Sequence, residues 1–365
     1  YETSSVPGSA NVPVESPDGP FPQLDYTTNE VHSTDYTLAL RYVPVADLAL
    51  RASFGTGFLP PSVVQIAPNR FSPYPYLFAN DPKRGGATLS GVPLTLISGG
   101  SPGLRPEQSE SVSVGMILTP HFASDLRLSV DYTRIRKSDE IQGPNLQFVL
   151  DNEDLFPGRI VRGDKLPGDP ANWAGEITQF DASLLNIART SVDAFDVQAD
   201  YRWDAGTAGQ FHWYAAATWQ PHYRNQVLPT SAVVDRVGFS GGPLEWRGNT
   251  GVDWYRGPLT LSWNAQYYDA YRPYTATASQ GSIEDTVLNQ GSAVIRRQVY
   301  HDLIATYEFG ATGILANTAV SVGIQNVLDT SPPILAATSP DSAGYSTFGD
   351  PRLRRYSISV RRTFR

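Results

Sequence analysis

Along most of this chain apolar and polar residues alternate with a period of two. Residues 34–43 set Tyr36, Leu38, Leu40 and Tyr42 in one row; after a turn at "PVAD" the row resumes as Leu48, Leu50, Ala52 and Phe54 against Ala49, Arg51, Ser53 and Gly55. In an extended strand such rows lie on opposite faces, so the pattern predicts a hairpin. It recurs at residues 107–118 and 125–140, at 178–203 and 211–219, at 244–255 and 259–267, at 297–309 and 320–325, and finally in "YSISVRRTFR" at the carboxyl end. About eleven strands are expected, joined alternately by short turns such as "TPHFAS", "DAGTAG", "RGP" and "GATG" and by long connections near residues 58–106, 141–177, 220–243, 270–296 and 329–351.

A compact soluble domain rarely carries so many long connections. Outer-membrane barrels do, with short turns at one rim and long loops at the other, an apolar row against lipid and a polar row toward a lumen. Aromatics near strand ends (Trp203, Trp219, Trp254, Tyr255, Tyr267, Tyr307 and Phe309) fit two interfacial girdles. The competing readings are a β-sandwich or a propeller; against them, polar rows carry Arg, Asp, Gln and Asn in strand after strand, and no propeller-length repeat is present. Residues 1–30 are rich in Pro, Gly, Ser and acids without periodicity and are expected as loop.

Composition narrows the chemistry. The 365 residues include no cysteine, which removes disulfides, thiolate metal sites and cysteine nucleophiles. The formal charge is −8 and no basic run exceeds a pair such as Arg296 and Arg297, which argues against a nucleic-acid partner. No apolar stretch approaches the ~20 residues of a spanning helix. The first residue is Tyr1 rather than Met, so a longer product is expected.

Four segments resemble TonB-dependent outer-membrane receptors. "LRASFGTGFLPPSVVQI" is similar to the family's Gly-Phe-Arg-Ala-Pro-Ser strand end through Gly57, Phe58, Pro61 and Ser62, with Leu59 and Pro60 as departures. "GLRPEQSESVSVG" matches the Leu-x-Pro-Glu-x-Ser box at Leu104, Pro106, Glu107 and Ser109; "VSVGIQNVLDTSPP" resembles Asn-Leu-Phe-Asp-x-x-Pro through Asn326, Asp329 and Pro332. "GDPRLRRYSISVRRTF" resembles the terminal strand, although Arg354 and Arg355 stand where Gly-Arg is usual.

The resemblance implies an all-β transmembrane antiparallel barrel, here the second half of a 22-stranded one, with residues 1–33 an extracellular loop and residues 34–365 the carboxyl-terminal half-barrel. It implies active import of a siderophore or other iron chelate, a cobalamin, an oligosaccharide or a peptide, powered by TonB with ExbB and ExbD. The plug and first strands are expected as a separate chain or a further segment of the same one. Lipopolysaccharide, lipid and a surface lipoprotein are the other expected partners. A passive channel or surface-binding barrel without energy coupling is the alternative.

Ligand binding is then expected from Tyr74, Tyr76, Arg84, Tyr223, Arg224, Tyr271, Arg272, Tyr274 and Tyr345 in the long loops and upper lumen. Tyr offers a stacking face and a hydroxyl, and Arg a planar fork for carboxylate or phosphate. No cofactor, metal site or catalytic set is expected. His32, His121, His212, His222 and His301 lack zinc spacing; "DNED" at 151–154 reads as a solvated acidic loop rather than a calcium site; Arg162, Gly163 and Asp164 read as a chance adhesion tripeptide; Asp196 and Asp200 read as partners of lumen arginines.

Overall fold

The computed structural model describes residues 2–8, 25–66, 68–71, 79–89, 94–101, 103–228, 231–336 and 344–364, with 2–8, 25–31 and 68–71 described by backbone alone. Eleven strands form one antiparallel ladder in which each pairs with its neighbour in sequence. They are β1 (Thr37–Val45), β2 (Leu48–Leu59), β3 (Glu107–Leu118), β4 (Leu126–Gln142), β5 (Leu185–Asp204) and β6 (Gln210–Gln226). After them come β7 (Trp246–Arg256), β8 (Leu259–Tyr268), β9 (Gln298–Glu308), β10 (Thr318–Gln325) and β11 (Arg355–Arg362). The ladder is open, with β1 and β11 as its edges.

The alternation predicts these strands closely. One expected strand, 178–203, is instead two elements: Ile177–Asp181 pairs in parallel with Thr95–Gly99, and β5 begins only at Leu185. The break follows from Asp181, whose carboxylate accepts from the Ser183 amide and turns the chain. The stretch 1–33, expected as loop, holds a short ladder between Glu2–Gly8 and Asp25–Val31.

Antiparallel partners share a face, so the register sorts the side chains. One face is apolar and uncovered, with Leu40, Val114 and Ile358 exposed. Two aromatic rows bound it. Toward the long connections Tyr132 meets Phe195 at 4.9 Å with its ring tilted, and Phe195, Trp219 and Trp246 stack in succession with centroids 5.1 and 5.7 Å apart. Toward the short turns Tyr201, Trp203 and Phe211 stack at 5.2 and 5.1 Å. Tyr255, expected in a girdle, pairs with Gln210 one position past Trp254 and so lies on the opposite, polar face.

The conventional core sits at the long-loop end rather than under the sheet. Leu89, Leu94, Leu146, Val149, Leu150, Ile177 and Phe180 pack together from the connections after β2 and β4, while Leu244, Tyr271 and Ile295 form a second cluster. Strand β10 ends at Asn326, whose side chain donates to the Thr330 carbonyl and accepts from its amide, and Asp329 accepts from the Arg354 amide. Both residues have positive φ, which Asn and Asp tolerate better than most.

Candidate functional site

The polar face is built from rows of paired residues that cross the ladder. Arg51 lies beside Gly115, and Gly115 beside Asp131. Because Gly115 has no side chain, the Arg51 guanidinium passes over it and donates from Nε to Asp131 Oδ1 at 2.7 Å. Tyr214 crosses Gly251 in the same way, and its hydroxyl accepts from Asn264 Nδ2 at 3.0 Å. His212 stands between Asp200 and Asp253 at 2.7 and 3.3 Å. Asp196 accepts from the Thr218 hydroxyl. Asp196 and Asp200 therefore take Thr and His partners, not the arginines expected for them; Arg51 has gone to Asp131.

A cleft of about 470 Å³ opens on this face between β5 and β8, lined among others by Gln198, Thr218, Arg247, Asn249, Gln266 and Tyr268. Arg247 is exposed there and has no carboxylate partner among the described residues. Toward the long loops the cleft meets an aromatic group: Tyr268 contacts Tyr300 and Phe348 at 6.2 and 5.7 Å, and Tyr271 meets Phe348 at 5.6 Å. Ser346 Oγ accepts from Tyr271 and from Gln298, which fixes the last loop against the polar face.

The expected ligand residues divide sharply. Tyr74 and Tyr76 lie outside the described residues. Arg84 is 6% exposed; it pairs with Asp169 at 2.8 Å, donates to the Ala174 carbonyl and lies over Trp173, so its fork closes a loop. Tyr271 is likewise 6% exposed within the second cluster. Tyr223 and Arg224 are adjacent in β6 and face opposite ways. Tyr345 is exposed on a two-residue ladder with Ile334.

Arg272 and Tyr274 come together around Phe239, a residue that sequence reasoning passed over. The Arg272 guanidinium lies 4.5 Å from the Phe239 ring centroid, Tyr274 meets that ring edge-on at 6.0 Å, and the Arg272 amide donates to the Gly238 carbonyl. Arg272 stays exposed, with no carboxylate partner among the described residues. Arg247, Tyr268 and Tyr300 were also passed over; the alternation in "EWRGNTGV" does place Arg247 on the polar row, and that signal was available.

The acidic segment 151–154 is not simply solvated. Glu153 pairs with Arg162 at 2.8 Å and with Lys83 at 3.5 Å, and Asp154 with Lys83 at 3.2 Å. Arg162 also holds the fully buried Asp81 at 2.7 Å, which withdraws the Arg162-Gly163-Asp164 tripeptide from any adhesion role. Burial opposes the Arg162 charge, but hydrogen bonds to Asp81 and Glu153 outweigh it and push its pKa further up. Among the described residues no group of three or more His, Asp or Glu is arranged to hold a metal ion.

A family model described as "TonB dependent receptor-like, beta-barrel" matches residues 1–327. No curated protein sequence matches the chain. Among solved structures, a variant of the ferric enterobactin receptor PfeA from Pseudomonas aeruginosa in complex with enterobactin shares 15% identity over 92% of this chain and 41% of its own, with TM-score 0.59. The siderophore receptor PirA from Acinetobacter baumannii shares 12% identity over 92% of this chain and 42% of its own, with TM-score 0.57. The ferripyoverdine receptor of the Pseudomonas aeruginosa outer membrane, bound to ferripyoverdine, shares 14% over 92% and 34%, with TM-score 0.50. The chain thus spans about two fifths of the length of the first two, and at these identities the likeness is one of fold.

Proposed function

The chain belongs to the TonB-dependent receptor β-barrel family, and from that premise we propose that it forms the ligand-recognising side of an active importer of an anionic iron chelate. The family is one of outer-membrane receptors and transporters, not enzymes. In this reading the long-loop end faces outward, residues 1–33 lie on that side, and the polar face lines the lumen around a plug. The plug and remaining strands would come from the part of the barrel that this chain does not span, and TonB with ExbB and ExbD would supply the energy.

The observation that carries the ligand class is Arg272, exposed and stacked on Phe239 beside Tyr274, with Tyr268 and with Arg247, which has no carboxylate partner among the described residues, on the polar face. Arginines over aromatic rings suit flat, negatively charged catecholate, citrate or carboxylate groups, which both stack and accept paired N–H bonds. Two of the structural neighbours hold enterobactin and ferripyoverdine.

Iron-limited cells whose own copy is deleted should lose uptake of one radiolabelled ferric chelate and regain it with the intact gene. Dissipating the proton-motive force should abolish that uptake. Accumulation that survives the uncoupler would reject energy coupling in favour of a passive channel, and unchanged uptake of every ferric chelate would reject the ligand class.

A further inference from the structure

Phe239 sits in a turn whose first residue is fastened to the barrel wall. The short strand Val234–Asp235 pairs with Arg224 and Asn225 of β6. One carboxylate oxygen of Asp235, Oδ1, accepts from the Tyr223 amide at 3.1 Å and from the Val237 amide at 3.2 Å. The other, Oδ2, lies 2.7 Å from His222 Nδ1 and 3.7 Å from Arg224 Nε. Oδ1 thus joins the wall to the loop, while Oδ2 meets the basic side chains of β6. The bond to Val237, two residues on, is an Asx turn, and it starts the chain reversal just before Phe239.

Beyond Val237 the turn closes on itself and on the Arg272 segment. Gly238, at φ 71°, donates its amide to the Pro243 carbonyl at 2.9 Å, and the Gly242 amide donates to the Phe239 carbonyl at 3.0 Å. The Gly238 carbonyl accepts from the Arg272 amide at 2.8 Å, and the Ser240 amide donates to the Tyr274 carbonyl at 3.1 Å. Phe239 and Arg272 form a parallel bridge. Backbone bonds therefore set where the Phe239 ring lies against the guanidinium. Their wall end is Asp235 with the adjoining Arg236 amide, which donates to the Tyr223 carbonyl at 2.9 Å. Burial opposes the Asp235 charge, but hydrogen bonds from His222 and the two amides outweigh it and hold the carboxyl below its ordinary value.

We propose that Asp235 is a positioning residue for ligand recognition: by tying the Phe239 turn to β6 it holds the ring so that Arg272 presents its fork in one orientation. The inference rests on the ligand site proposed above. A carboxylate repels an anionic chelate, so any gain in affinity from Asp235 has to pass through the ring it places. Without the clasp the turn would be ordered only when ligand binds, and that ordering would be subtracted from the affinity.

The test has two arms, both on the full receptor. In the ligand-free protein, hydrogen exchange at the Val237, Gly238 and Gly242 amides should speed up about ten-fold in Asp235→Ala and stay within about two-fold of wild type in Asp235→Asn, whose side-chain oxygen still accepts from Tyr223 and Val237. Titration with ferric citrate and with a ferric tris-catecholate should show Asp235→Ala about five-fold weaker than wild type for the chelate that binds, and Asp235→Asn near wild type. Adding Asp235→Ala to Phe239→Ala should cost nothing further. Unchanged exchange in an Asp235→Ala receptor of normal heat-modifiable mobility would overturn the proposal. So would a loss of affinity that persists in full without the Phe239 ring, or an Asp235→Asn variant as weak as Asp235→Ala. A wild-type Val237 amide that exchanges at its intrinsic rate would overturn it as well, and that measurement needs no variant to fold. Wild type that binds neither chelate would reject the ligand class by itself, while the exchange arm would still decide whether Asp235 holds the turn.

Discussion

Arg51 and Asp131 form an ion pair across an intervening strand, directly over Gly115, with Arg51 Nε 2.7 Å from Asp131 Oδ1. A β-carbon at position 115 would run into the Asp131 carboxylate and the Val130 carbonyl. Gly115→Ala should therefore destabilise the barrel by about 1–3 kcal/mol, as overpacking does elsewhere. Heat-modifiable mobility on gels should report a lower unfolding temperature. Asp131→Ala in the same chain should recover part of the loss, because the collision partner has gone; a strictly additive double mutant would disprove the steric explanation.

The ladder was legible because period-two alternation is a local signal and a barrel strand buries nothing that contradicts it. Side-chain environment at the long-loop end was not. Arg84 has the composition of a ligand residue, but its fate depends on Asp169, 85 positions away, and on Trp173. The face of Arg224 turns on a different feature. Counting by twos from Trp219 puts His222 and Arg224 on the polar face, and the bulge near Pro221, visible only through pairing, turns them to the other. Phe239 gave no signal, since it follows a glycine in an unpatterned loop.

Arg162 closes the larger loop cluster by holding Asp81, which is 0% exposed, together with Glu153. Arg162→Ala leaves the Asp81 carboxylate buried without a cation, a change that typically costs about 3–5 kcal/mol. The strands should remain paired through their own backbone bonds. Limited proteolysis should cut residues 79–89 and 153–181 of the variant many times faster than wild type, with the gel mobility of the folded barrel retained. Unchanged cleavage would show that apolar packing alone holds the cluster.

Acid should loosen the same end before the ladder. The Arg84 guanidinium holds the Asp169 carboxyl below its ordinary value. Burial would raise Asp235, but hydrogen bonds from His222 and from the Tyr223 and Val237 amides outweigh it and bring it lower. Asp350 is held at about 2, chiefly by the Arg352 side chain and amide. A carboxyl depressed on folding contributes stability above its unfolded pKa near ~4 and loses it as pH falls through the folded value. Hydrogen exchange at residues 160–181 and 223–237, corrected for intrinsic rates, should be unchanged from pH 7 to 5 and accelerate below about pH 4, with residues 346–354 following last. Loss of protection already between pH 7 and 5 would rule out these carboxyls as the cause.

Arg272 over Phe239 separates charge from shape in ligand recognition. If the guanidinium acts as a stacked, planar fork, Arg272→Lys keeps the charge but loses both the ring contact and the paired donors. The substituted lysine should then bind the ferric chelate about five-fold more weakly than wild type, corresponding to ~1 kcal/mol, and Arg272→Ala should be weaker still. Phe239→Ala removes the platform without removing the charge, and its effect should overlap with that of Arg272→Lys, so that the double variant is little worse than either single one. Titration of the full receptor with the transported chelate would measure all of these. A lysine variant of wild-type affinity would reduce Arg272 to a point charge, and fully additive losses would show that Phe239 and Arg272 meet the ligand separately.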